Sequence, residues 1–168
     1  MVVIKVANMT EQEIHNICKV YNISNYKINT DGSIDVDGNV DLSLSNLTEL
    51  PLTFNYVSGY FICSNNYLIS LKGSPRIIEH NFSCTNNNIT SLIDGPDRVG
   101  EFYFCNNNNL ESLIGSPITN ERFECFGNPL KSLDGYKGDL DLLFCHNKDI
   151  LVSKFKRKEK IRLISELL

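Results

Sequence analysis

The stretch VGEFYFCNNNNLESLIGSP, residues 99–117, has close copies along the same chain: VSGYFICSNNYLISLKGSP at 57–75, IEHNFSCTNNNITSLIDGP at 78–96 and TNERFECFGNPLKSLDGY at 119–136. Their cysteines, Cys63, Cys84, Cys105 and Cys125, are followed by Cys145 in a worn copy, DLDLLFCHNKDIL, at 139–151. The five thiols are spaced by 21, 21, 20 and 20 residues. One further copy lies upstream without its cysteine, where Val36, Val40, Leu42, Ser45 and Leu47 precede Val57, Phe61, Cys63, Asn66 and Leu68 by 21 residues. Six coils are readable in this way. A unit of this length cannot bury a core alone, so neighbours must stack, and the period predicts a solenoid.

Within each copy the F-x-C triplet alternates with period two, the pattern of a strand with one face inside. Phe61 and Cys63, Phe82 and Cys84, Tyr103 and Cys105, Phe123 and Cys125, and Leu143 and Cys145 are the inward pairs. Two residues after the cysteine stand Asn65, Asn86, Asn107 and Asn147, with Gly127 in the remaining copy. Interchange of Asn with Gly predicts left-handed backbone that ends the strand. Next come Asn66, Asn87, Asn108 and Asn128, whose amides suit pairing with the main chain of the turn. The return arm carries Leu68/Leu71, Ile89/Leu92, Leu110/Leu113 and Leu130/Leu133. Gly73/Pro75, Gly95/Pro96 and Gly115/Pro117 follow, and they favour extended or turn structure over a long helix.

On these residues the chain resembles the leucine-rich repeat family in its short bacterial and phage form. The family pattern L-x-L-x-x-N-x-L is met by Phe61-x-Cys63-x-x-Asn66-x-Leu68 and its copies over residues 34 to 151. The F-x-C variant is most similar to repeat proteins of T4-type tailed phages. The copies depart from the pattern where Lys148 takes the Asn place and Ser153 the second Leu place, so the array is expected to stop there. The expected fold is a β-rich solenoid, a leucine-rich repeat of about six short coils forming a parallel sheet.

The raw ends of such an array need covering. Thr10-Glu11-Gln12-Glu13 reads as a capping box opening a helix with Ile14, Ile17, Cys18 and Tyr21 on one face. Tyr26-Lys27-Ile28 and Ser33-Ile34-Asp35-Val36 flank Asp31-Gly32 as a hairpin. Residues 1–33 are thus an N-terminal cap of helix and hairpin start, 34–151 the solenoid, and 152–168 a basic amphipathic helical cap with Ile161, Ile164, Leu167 and Leu168 as its stripe.

The 168 residues are 42% hydrophobic and 21% charged, the composition of a core-forming chain. Charge is uneven: residues 1–153 hold 10 Lys and Arg against 18 Asp and Glu, and residues 154–168 hold six against two. The acidic body disfavours a nucleic-acid partner. No apolar run is long enough for a membrane span, and MVVIKVANMT is too short for a signal peptide, so the expected location is cytoplasmic, in the bacterial host if the chain is phage-encoded.

No close cysteine pair of the metal-binding kind occurs, and the thiols read as small buried apolar groups; no metal or cofactor is expected. Adjacent Cys145 and His146 fall on opposite faces of a strand, His15 and His80 read as structural or solvent-facing, and no phosphate loop or hydrolase motif appears. The chain is expected not to be an enzyme.

Function is expected on the outward face of the sheet, at three positions around each cysteine. There the C-terminal coils are aromatic: Phe102, Phe104, Arg122, Glu124, Phe126, Leu142, Phe144 and His146, with Tyr60 further up. Such a patch predicts a protein partner, and the resemblance implies a host protein, such as a defence factor, that is modulated or inhibited. Two alternatives stand beside it. One is a self-associating structural or virion-associated protein that uses the same patch. The other is a nucleic-acid or membrane tether through Lys154, Lys156, Arg157, Lys158, Lys160 and Arg162.

Overall fold

A computed structural model describes residues 9–166, together with their side chains except those of residues 160, 161 and 163–166. The chain opens with α1 (Glu11–Val20), whose Thr10 hydroxyl accepts from the Glu13 N–H while the Glu13 carboxylate accepts from the Thr10 N–H at 2.7 Å. Ile14 and Cys18 bury one face of α1 in the core. Next come β1 (Tyr26–Ile28) and β2 (Ile34–Val36), paired antiparallel across the Asp31-Gly32 turn. From there the chain climbs through β3 (Val40–Asp41), β4 (Phe54–Val57), β5 (Phe61–Ile62), β6 (Ile77–Ile78), β7 (Phe82–Ser83), β8 (Arg98–Val99), β9 (Tyr103–Phe104), β10 (Ile118–Thr119), β11 (Phe123–Glu124) and β12 (Leu143–Phe144).

These strands form two six-stranded sheets, β1-β2-β4-β6-β8-β10 and β3-β5-β7-β9-β11-β12, parallel throughout except at β1. The fold is a parallel-strand β-solenoid of about five turns, the number of steps between the six strands of the second sheet. The pairing follows the sequence period, Phe61 beside Phe82, Phe82 beside Tyr103 and Tyr103 beside Phe123. Where the sequence points to one sheet with an extended return, the structure forms the first of these sheets just before each F-x-C triplet. Its two-residue strands β6, β8 and β10 turn one residue inward, Ile78, Val99 and Thr119, which leaves no period to read, while the longer β4 buries Phe54 and Val57.

Parallel register stacks like on like. The rings of Phe61, Phe82, Tyr103 and Phe123 stand 6.0, 4.9 and 4.8 Å apart with interplanar angles of 10°, 23° and 10°. The last two distances match the strand spacing of about 4.8 Å. Phe54 and Tyr136 close the column edge-on. Beside it run the thiols of Cys63, Cys84, Cys105, Cys125 and Cys145, all buried and all unpaired. Burial pushes Cys63 and Cys105 well up and takes Cys84 to about 12, so these thiols stay protonated and inert. In the last pair the neighbouring thiols raise Cys125 and lower Cys145, with Lys148 adding to the lowering, while Cys125 Sγ donates to Phe144 O at 3.7 Å.

Tyr103 alone brings a hydroxyl into the ring column, and its buried Oη has no hydrogen-bond partner. An unsatisfied buried hydroxyl forfeits its hydration. Tyr103→Phe is therefore expected to raise unfolding free energy by about 1 kcal/mol in urea titration. A loss of stability would show instead that the hydroxyl makes a useful contact with the neighbouring Cys84 thiol.

The turn after each F-x-C triplet is built by asparagine. Asn65, Asn86, Asn107 and Asn147 have φ of 57°, 58°, 53° and 55°, and Gly127 has 67°. Their amides link into a row on the surface, Asn86 Nδ2 donating to Asn65 Oδ1 at 2.7 Å and Asn107 Nδ2 to Asn86 Oδ1 at 2.8 Å. At Gly127 the row ends, and Asn107 Oδ1 takes the space a Cβ would fill, 2.0 Å from its place. The following asparagines turn inward. Asn108 Nδ2 donates to Cys84 O, Cys105 O and Asn106 O at 3.0, 3.2 and 3.2 Å, and its Oδ1 accepts from the Ile89 N–H at 3.0 Å. Asn66, Asn87 and Asn128 repeat the arrangement.

In the Asn place stands Lys148, no amide holds the turn, and α2 (Lys148–Glu166) begins there rather than at residue 152, burying Leu151. The stripe of Ile161, Ile164, Leu167 and Leu168 and the Lys160 side chain lie outside the described residues. Among the described residues no helix is long and apolar enough to cross a membrane.

Candidate functional site

The outward side chains of the second sheet stand in three columns fixed by strand register. One runs Asn81, Phe102, Arg122, Leu142. Another runs Ser83, Phe104, Glu124, Phe144, and the third Thr85, Asn106, Phe126, His146. They point out because Tyr103, Phe123, Leu143 and the cysteines between them point in.

The aromatic residues of the last three rungs make contact with one another. Phe102 stacks on Phe104 with centroids 5.9 Å apart, and Phe126 meets His146 edge-on at 5.4 Å. The Arg122 guanidinium lies 4.1 Å from the centre of the Phe144 ring, with the Lys148 ammonium 5.3 Å from the same ring. Arg122 Nε also forms an ion pair with Glu124 Oε1 at 2.6 Å, and Glu124 Oε2 accepts from Asn106 Nδ2 at 3.0 Å. Through these contacts Phe102, Phe104, Arg122, Glu124, Phe126, Leu142 and Phe144 are half-buried rather than open to water, and His146 is exposed. The surface is a rigid aromatic relief with its charges already oriented. Tyr60 does not join it, because Asn81 stands between Tyr60 and Phe102 in their column.

The basic helix follows a different side. Lys158 Nζ pairs with Asp134 Oδ2 at 2.7 Å. Leu151, Lys154, Phe155 and Lys158 close a cavity of about 140 Å³ with Lys131, Ser132, Leu133 and Asp134. These contacts set α2 against the return arm of the last full coil. Lys154, Lys156 and Arg157 are exposed, Lys158 is held by Asp134, and Arg162 lies 3.6 Å from Glu159.

Cys145 is buried while the neighbouring His146 is exposed, His80 pairs with Glu101 at 2.8 Å, and His15 bonds the Tyr26 hydroxyl. Among the described residues no group of three or more His, Cys, Asp or Glu is placed to hold a metal ion. A groove of about 450 Å³ does run past Asp31, Lys72, Arg76, Asp94 and Asp97, where the buried Ser74 Oγ lacks a partner. Its cause is local. Two turns up, Ser116 Oγ accepts from the Lys137 N–H at 3.1 Å, whereas the residue in that place beside Ser74 is Pro96, which has no N–H.

Sequence reasoning does not find a cleft of about 360 Å³ at the N-terminal end, lined by Tyr21, Asn22, Asn39, Asp41, Ser43 and Tyr60. Nothing in a repeat pattern signals it, because it arises where the repeats begin. No family model, curated protein or solved structure matches the chain.

Proposed function

We propose that the protein is a non-enzymatic binding module of the short leucine-rich repeat type, and that it acts by occupying a partner protein's surface. The reading rests on one observation: Phe102, Phe104, Phe126 and Phe144 cluster with Arg122 on one outward face, and among the described contacts α2 touches them through its first residue, Lys148, alone. Clustered aromatic and arginine side chains, already held in place, are the composition that dominates protein interfaces, and fixed rotamers lower the entropy lost on binding. The F-x-C repeats support the leucine-rich repeat type, and with it a phage-encoded binder that modulates a protein of the bacterial cytoplasm.

Phe104→Ala/Phe126→Ala is expected to abolish partner capture while far-UV circular dichroism stays unchanged, each truncation costing the complex about 2 kcal/mol. Tagged wild-type and variant proteins, incubated with bacterial lysate and compared by mass spectrometry, supply the measurement. Equal capture by both would sink the proposal. An eluate holding only further copies of the chain would move the same surface to self-association.

A further inference from the structure

The five thiols of the column are not equivalent. Cys63, Cys84, Cys105 and Cys125 are exposed by 1% or less, whereas Cys145, which follows the terminal strand β12 of its sheet, is 8% exposed. Register places its neighbour beside it. β11 and β12 pair Glu124 with Phe144, and the Cys125 N–H continues the ladder by donating to Phe144 O at 2.9 Å. Cys125 and Cys145 are therefore abreast, both turned inward, one strand spacing of about 4.8 Å apart, and a disulfide spans roughly 4.4–6.8 Å between Cα atoms. The Cys125 thiol leans the same way: its Sγ donates at 3.7 Å to Phe144 O, the carbonyl of the peptide bond to Cys145.

The surroundings of the thiols differ as well. Burial pushes Cys63, Cys84 and Cys105 up, while the Cys125 thiol and the cation of Lys148 hold Cys145 below its ordinary value. Reactive thiols are those that are partly reachable and beside positive charge.

We propose that Cys145 is an oxidation site for small hydroperoxides and that Cys125 resolves it, joining the last two rungs by a disulfide. The Cys145 thiolate attacks one oxygen of hydrogen peroxide, the O–O bond breaks, and the leaving hydroxide takes up the thiol's proton as water, which leaves a sulfenic acid on Cys145. The Cys125 sulfur then attacks the Cys145 sulfur, the S–O bond breaks, and the Cys125 proton departs with the hydroxide as a second water. Two thiols supply the two electrons that reduce one peroxide. Exposure as small as that of Cys145 suits an oxidant of two heavy atoms. The linkage lies beneath the aromatic face, since Phe126 and Phe144 turn outward where the two thiols turn inward, and it forms whether or not that face holds a partner.

The test is peptide mapping by mass spectrometry of the reduced full chain after incubation with hydrogen peroxide. The expected product is a Cys125–Cys145 linked pair, lighter by two hydrogens and reopened by dithiothreitol, with the other four cysteines still free. Cys125→Ala is expected to leave the sulfenic acid on Cys145, where dimedone captures it, and Cys145→Ala to slow thiol loss at least about tenfold. The mapping of the wild-type chain needs no substitution, so it decides the matter even if a variant fails to fold. Thiols that all stay reduced would overturn the proposal. So would linkage of Cys63 to Cys84 to the same extent, since register alone would then suffice, or a disulfide between two chains in place of the internal one.

Discussion

Alanine at Gly100 is expected to lower unfolding free energy by about 3 kcal/mol or more, at the upper end of what overpacking costs. The neighbouring rungs carry Ser58, Glu79 and Asn120 at the same place, so repeat comparison marks a side chain there as harmless. Geometry says otherwise. A Cβ on Gly100 would lie 1.8 Å from Glu79 O and 2.7 Å from Glu79 C, both main-chain atoms of the rung below. They cannot swing aside as a flexible side chain would, because the Gly100 N–H donates to Ile78 O at 2.9 Å and the Glu79 N–H to Val57 O at 3.1 Å. Urea unfolding of Gly100→Ala beside Asn120→Ala measures the effect. Asn120 is exposed, and its truncation is expected to change stability by less than about 0.5 kcal/mol. Similar midpoints for the two variants would show that the corner relaxes.

Asn108→Ala is expected to cost about 2 kcal/mol, which for a chain of this size moves the thermal midpoint down by roughly 4–8 °C. The amide bridges two rungs, and its removal strands the Ile89 N–H in a dry interior, while Cys84 O keeps Asn87 Nδ2 at 3.0 Å and Cys105 O keeps Asn128 Nδ2 at 2.9 Å. Asn107→Ala is the comparison. That amide is exposed, and its loss removes one surface link and places alanine at φ 53°, for about 1 kcal/mol. Calorimetry of the pair reads the difference directly. Equal losses would mean that water enters at Asn108 and replaces the amide.

Much of the fold is legible in the sequence because a parallel stack converts period into position. Once Cys63, Cys84 and Cys105 are aligned, the inward rings, the left-handed Asn65, Asn86 and Asn107 and the inward Asn66, Asn87 and Asn108 follow from local chemistry. The capping box at Thr10 and the turn at Asp31-Gly32 are equally local. Other features depend on what lies alongside. Leu44 adopts φ 55° in the first coil although its residue type disfavours it, since the stack above dictates the turn. In the first sheet the two-residue strands β6, β8 and β10 have one inward residue each, and the start of α2 is decided by a missing amide rather than by a helical stripe.

The candidate site divides in the same way. Which side chains face outward at Phe102, Phe104 and Phe126 follows from alternation. That they shield one another, that Arg122 lies over Phe144, and that Tyr60 stands apart are facts of rotamer and register. That β3 pairs with β5 alone among the described residues belongs to the end of the array, and no residue of the repeat encodes it.

Every inner rung offers the same main-chain groups upward that it accepts from below, in step from Val40 to Leu143. The length of such a molecule is therefore an adjustable quantity. Duplication or loss of one whole unit restores every junction, leaves the helical ends unchanged, and lengthens or shortens the body by one strand spacing of about 4.8 Å. The distance between the first strands and the aromatic last rungs can thus be set in discrete steps. Inheritance by copying gives this fold a way to change its reach without redesigning either end.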